Sequence, residues 1–110
     1  MLAQQENSIV TQPGWASEMS SPKDGTHVYM MEQLDLNSCS GLEEMVKSSE
    51  HAKRGRLVNC LIDDIGRSNR VTLIWQFDQL DDCRGITHDS ELINACHSIV
   101  MLPAPWSPMK

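Results

Sequence analysis

The chain has 110 residues, 40% hydrophobic and 22% charged, a balance that suits one small domain with a modest core and argues against wholesale disorder. Fifteen acidic against nine basic side chains leave a formal charge of −6, which repels phosphate backbones and makes nucleic acid an unfavourable partner. No apolar run approaches the ~18 residues that cross a bilayer, and Met1–Thr11 has no basic start followed by an apolar core, so a soluble, cytoplasmic chain without a membrane partner is expected.

Residues 1–25 are rich in Gln, Asn, Ser, Pro and Gly and read as a flexible N-terminal arm, with Ser8-Ile9-Val10-Thr11 as a possible short strand. From Thr26 the composition turns β-branched, aromatic and apolar, which predicts a half-buried strand over 26–34. Ser40-Gly-Leu-Glu43 has the spacing of a capping box and opens a helix carrying Leu42, Met45, Val46, Ser49 and Ala52 at helical steps. Lys53 and Arg54 suit the negative end of that helix, and Gly55 can take a left-handed terminating conformation.

Arg56–Ile62 is nearly continuously apolar and too short for another helix, so it reads as a buried strand. After a turn at Gly66–Asn69, Arg70–Phe77 alternates, with Val71, Leu73, Trp75 and Phe77 on one face; the two strands should pair as an antiparallel hairpin. Leu92, Ile93, Cys96, Ile99 and Val100 then recur at helical spacing behind the capping candidates Thr87, Asp89 and Ser90, which predicts a second helix over 90–101, stopped by Pro103. Residues 103–110 form a proline-rich tail. The central domain is therefore 26–102. Its cysteines, Cys39, Cys60, Cys83 and Cys96, are widely spaced without a C-x-x-C pair, and reduced thiols are expected.

The order strand–helix–strand–strand–helix over Thr26–Ala104 resembles one protomer of the dimeric α+β barrel superfamily, most like the antibiotic biosynthesis monooxygenase-type domains. Asn69-Arg-Val-Thr-Leu-Ile-Trp-Gln-Phe-Asp-Gln-Leu-Asp-Asp82, followed by His88 and Ser90, carries that resemblance, together with Gly55-Arg-Leu before the second strand. The implied fold is ferredoxin-like, an antiparallel sheet with two helices on one face, its fourth strand short, missing or supplied by the N-terminal arm. The implied assembly is a homodimer that encloses a small apolar or aromatic ligand. The implied chemistry, where there is any, is cofactor-independent oxygenation of an aromatic or quinol-type substrate; the other reading is a non-catalytic interaction module.

Against that frame, Trp75 is either a core aromatic or the wall of a cavity, stacking on a flat substrate, with Tyr29 and Phe77 beside it. His88 is either a polar helix cap or a general base suited to taking a phenolic proton near neutral pH. Asn59 is either a structural hydrogen-bond donor or a group orienting the substrate. Leu57–Asp64 resembles a metal-binding strand end of nucleotide hydrolases, but no phosphate-cradling glycine loop accompanies it. The pair Cys96-His97 and the scattered His27 and His51 lack zinc-site spacing, and the acidic residues Asp78, Asp81, Asp82 and Asp89 lack the order of a calcium loop, so no metal site is expected.

Overall fold

A computed structural model describes residues 10–25, 27–63, 69–88 and 90–102. In chain order its elements are β1 (Val10–Thr11), α1 (Gly14–Met19), β2 (Val28–Leu36), α2 (Leu42–Lys47), α3 (Glu50–Arg54), β3 (Arg56–Asp63), β4 (Arg70–Phe77), a 3-10 turn (Leu80–Cys83) and β5 (Ile93–Met101). The strands form one antiparallel sheet in the order β1-β3-β4-β2-β5. Within it, β3-β4-β2-β5 is the ferredoxin-like arrangement, in which the first and third of those strands lie side by side at the centre. The expected hairpin is present, with Ile62 opposite Val71 and Leu57 opposite Trp75.

Alternation along β2 and β4 decides where the core sits. Val28, Met30, Leu34 and Leu36 of β2 and Val71, Leu73, Trp75 and Phe77 of β4 are buried, and they form one cluster with Leu42 and Val46 of α2. Each buried side chain of this size contributes about 1.5–3 kcal/mol relative to exposure. The other face carries the half-buried Tyr29, Met31, Thr72 and Ile74. Gln76 also belongs to that face and is nonetheless fully buried. Its side chain accepts from the Lys23 N–H and donates to the Lys23 carbonyl, both at 2.8 Å, so the segment after α1 is pinned across it.

Three expectations need correction. The stretch 90–101 is a strand, because it pairs with β2 from Tyr29 to Leu36 and so satisfies backbone groups that a helix would leave open on the outer side of β2. It supplies the fourth ferredoxin-like strand, and among the described residues the place of a second helix is held by the 3-10 turn. The N-terminal strand adds to the opposite edge, with Val10 facing Asp63 and Thr11 facing Ile62. Between β1 and β2 stands α1, whose Ala16 is fully buried. Ser8 and Ile9, the turn residues 64–68 and the tail 103–110 lie outside the described residues.

The second correction is to the predicted capping box. Gly41 stands at the start of α2 in the left-handed conformation, φ +86°, and no side chain caps it. The Ser40 N–H turns instead to Ser38 Oγ at 3.1 Å. The helix is also broken at Ser48 and Ser49, whose hydroxyls donate to the carbonyls of Glu44 and Val46 at 2.8 and 2.7 Å and so compete with helix continuation. Ser49 then caps α3, accepting from the Ala52 N–H at 3.3 Å. Accordingly Ser49→Ala should lower the stability measured by urea denaturation by about 1 kcal/mol, while Ser40→Ala should change it by no more than a few tenths.

The third correction concerns Gly55, which is extended rather than left-handed, with φ −137° and ψ −163°. Glycine is needed there for space: a Cβ would sit 2.7 Å from both the Gln76 carbonyl oxygen and the Phe77 ring.

Candidate functional site

Inward alternation on β2 places position 32 among core side chains, and the residue there is a glutamate, 2% exposed. A carboxylate in an apolar core is costly unless it is hydrogen-bonded. Glu32 is met from three elements. The Trp75 indole N–H of β4 donates to Oε1 at 2.9 Å. His88, in the irregular stretch before β5, brings Nε2 to the same oxygen at 2.8 Å. His51, the buried residue of α3, brings Nε2 within 3.0 Å of Oε2. The two imidazoles stack with centroids 4.2 Å apart and planes 11° from parallel, and the His51 ring lies 5.4 Å from that of Trp75.

The electrostatics follow from these contacts. Burial by itself pushes the Glu32 carboxyl upward, but the hydrogen bond to His88 and the close approach of His51, with the field of both rings, outweigh it and hold the group down at about 2. Satisfaction of the partners is uneven. The His51 approach through Nε2 is close but lacks the alignment of a hydrogen bond, and its Nδ1 is buried without a partner among the described residues.

Beside this cluster lies a cavity of about 300 Å³, between the α2–α3 break at Ser48, Ser49 and Glu50 and the strip holding Thr87, His88 and Ser90. His88 is the residue common to the cavity and the buried network. The helix break that the two serines produce forms one wall of it, so a local competition for carbonyls shapes the site.

Of the residues singled out from the sequence, Trp75 and His88 converge on Glu32. Trp75 is fully buried, spends its N–H on Glu32 and does not line the cavity; its expected role as a stacking wall is replaced by one inside the core. Phe77 is likewise fully buried, on the helix side of the sheet. Tyr29 is on the opposite face, its hydroxyl accepting from Gln76 Nε2 at 3.1 Å, and Asn59 stands on that face too, opposite Ile74. Neither approaches the cluster. His88 precedes a strand, not a helix.

Sequence reasoning missed Glu32 and His51. Glu32 had a signal, a carboxylate at an inward position of an otherwise alternating strand. His51 had none, since its partners come from residues far along the chain. Cys60, Cys83 and Cys96 form no disulfide among the described residues, and burial pushes the Cys60 thiol up to about 12, which makes it a core residue rather than a nucleophile.

No family model matches the chain, and no curated protein does. Among solved structures it is similar to a NIPSNAP family protein of unknown function from Agrobacterium tumefaciens, at 22% identity over 77% of this chain and 95% of that one, with a TM-score of 0.51. The chain shares its fold. A second NIPSNAP family protein from Agrobacterium tumefaciens is similar at 20% identity, over 83% of this chain and 98% of that one, with a TM-score of 0.49. The first of these likenesses supports the ferredoxin-like α+β architecture. No helix among the described residues is long and apolar enough to cross a membrane.

Proposed function

We propose that this chain binds a small organic molecule in the cavity over His88, with the buried Glu32 network fixing that histidine from behind. The observation that carries the reading is the join between a cavity of about 300 Å³ and a buried carboxylate through one imidazole. Strongly perturbed carboxylates backed by specific partners, at the edge of a cleft, concentrate at functional sites because such burial is otherwise unfavourable. With Nε2 turned to Glu32, Nδ1 is the ring nitrogen left to meet a ligand hydroxyl.

In its sharper form, the reading makes the ligand an aromatic or quinol-type molecule and the reaction a cofactor-independent oxygenation. His88 would take the acidic proton, and the electron-rich ring would react with dioxygen. One oxygen atom becomes a ring carbonyl while the other leaves as water with two substrate hydrogens, so no external reductant is required. The resemblance to monooxygenase-type barrels supports this form, and so does a histidine at the cavity. In such barrels the protein works as a homodimer. The exposed Ile99, Val100, Met101 and Leu102, at 53, 42, 40 and 58%, give a second copy an apolar surface to cover. The same surface favours the second reading, a non-catalytic interaction module of this fold.

A panel of planar phenols and quinols, screened by thermal shift and in an oxygen electrode, separates these readings. Binding should raise the melting temperature by mass action, and His88→Ala should abolish turnover. A panel that gives neither a shift nor oxygen uptake overturns the oxygenase reading. Sedimentation of a 12.4 kDa monomer at micromolar concentration would overturn the dimer.

A further inference from the structure

His51 is completely buried, yet neither ring nitrogen has an aligned hydrogen-bond partner among the described residues. Buried polar groups are ordinarily satisfied, and each exception calls for a physical reason. One ligand atom from each of Glu32, His51 and His88 lies within 4.8 Å of the others. Each imidazole meets its own carboxylate oxygen, His88 Nε2 lying 2.8 Å from Glu32 Oε1 and His51 Nε2 3.0 Å from Glu32 Oε2, separations close to the ~3 Å edge expected between ligands bound at roughly 2.0–2.1 Å to one ion.

We propose that Glu32, His51 and His88 bind a single divalent first-row transition ion, such as Zn²⁺ or Fe²⁺, through two imidazole nitrogens and the Glu32 carboxylate. The donor set selects this class: imidazole suits zinc and iron, whereas calcium and magnesium favour all-oxygen shells. Trp75 supplies an outer contact, since its N–H holds Oε1 and leaves Oε2 directed at His51. Such outer contacts orient ligating carboxylates and tune affinity. The cavity lined by His88 gives the ion a route in, and room beside it for water or a ligand oxygen.

With the ion held through His88, the site acts on a ligand by coordination rather than through a free imidazole. The inference uses the same cluster as the proposed function but rests on the ligand geometry and the unpartnered His51, not on any substrate.

The test uses the full chain, stripped with a chelator, dialysed and titrated with ZnSO₄ by calorimetry. Co²⁺ follows as a spectroscopic probe of ligand number and of any thiolate charge-transfer band. One ion per chain, a Co²⁺ spectrum without thiolate ligation and a higher melting temperature on loading are expected. His51→Ala and His88→Ala should each weaken Zn²⁺ binding by more than ~100-fold, since losing a ligand exceeds the ~10–100-fold loss for an outer-shell contact. His27→Ala and His97→Ala should bind as the parent does. Circular dichroism checks that the variants fold, and the Co²⁺ spectrum of the parent chain remains decisive if they do not. Thiolate ligation, no stoichiometric binding, or binding that survives both cluster substitutions overturns the proposal. Phenol binding to the metal-free chain tests the proposed function separately, so the two fail independently.

Discussion

Glu32→Ala in the metal-free protein is expected to lose about 3–5 kcal/mol of stability, because removing one partner of a buried charged pair strands the others. Trp75 would keep an N–H without an acceptor, and the Nε2 edges of two stacked imidazoles would lose the carboxylate that both meet. A domain of this size has only ~5–15 kcal/mol to lose, so the variant should stand near the edge of folding. Urea denaturation followed by far-ultraviolet circular dichroism measures this from the midpoint and slope. Glu32→Gln keeps the shape and a partial acceptor but not the charge, and should fall between Ala and the parent. A loss under about 1 kcal/mol for Glu32→Ala would mean the carboxylate is not held as described.

Legibility in the sequence followed burial. Arg70–Phe77 could be read because one face of the strand is packed, and packing enforces its two-residue period, whereas Arg56–Ile62 was read from its apolar run, its buried Leu57 and Cys60 standing three apart across a register shift. Alternation in Val28–Leu36 was equally regular, and a stricter reading of it would have exposed Glu32 as the one charged residue at an inward position. By contrast, β5 is an edge strand whose residues, apart from Ile93, are exposed on both sides. No packed face disciplines its pattern, so Leu92, Ile93, Cys96, Ile99 and Val100 fell at helical intervals without forming a helix. Only the long-range ladder with β2 decides that segment, and a ladder leaves no local trace.

The same division holds for the site. Trp75 and His88 were visible as residues with chemistry to offer. Their meeting point was not, since 32, 51, 75 and 88 share no local motif and come together through strand order and one helix break. That break was missed because Leu42, Met45, Val46, Ser49 and Ala52 keep helical steps across it. Ser48 and Ser49 carried the relevant signal, as adjacent hydroxyls able to bond back to the preceding turn.

Trp75 separates a core role from a cavity role most sharply. Its side chain is fully buried among Leu57, Met30 and Phe77 in the core cluster, and its N–H is committed to Glu32. Trp75→Ala should therefore cost about 3–5 kcal/mol through lost burial and the void it leaves. Trp75→Phe keeps most of the apolar body but removes the donor, so about 1–3 kcal/mol is expected, the cost of losing one of two hydrogen bonds to the buried Glu32 Oε1. Both should be followed by circular dichroism, because removing the indole alters the fluorescence itself. A tryptophan serving mainly as a ligand wall would behave the other way, tolerating Phe and Ala with little change in stability and losing affinity instead. If Trp75→Ala unfolds at the parental midpoint while ligand binding disappears, the indole belongs to the cavity and the packing described for β4 is wrong.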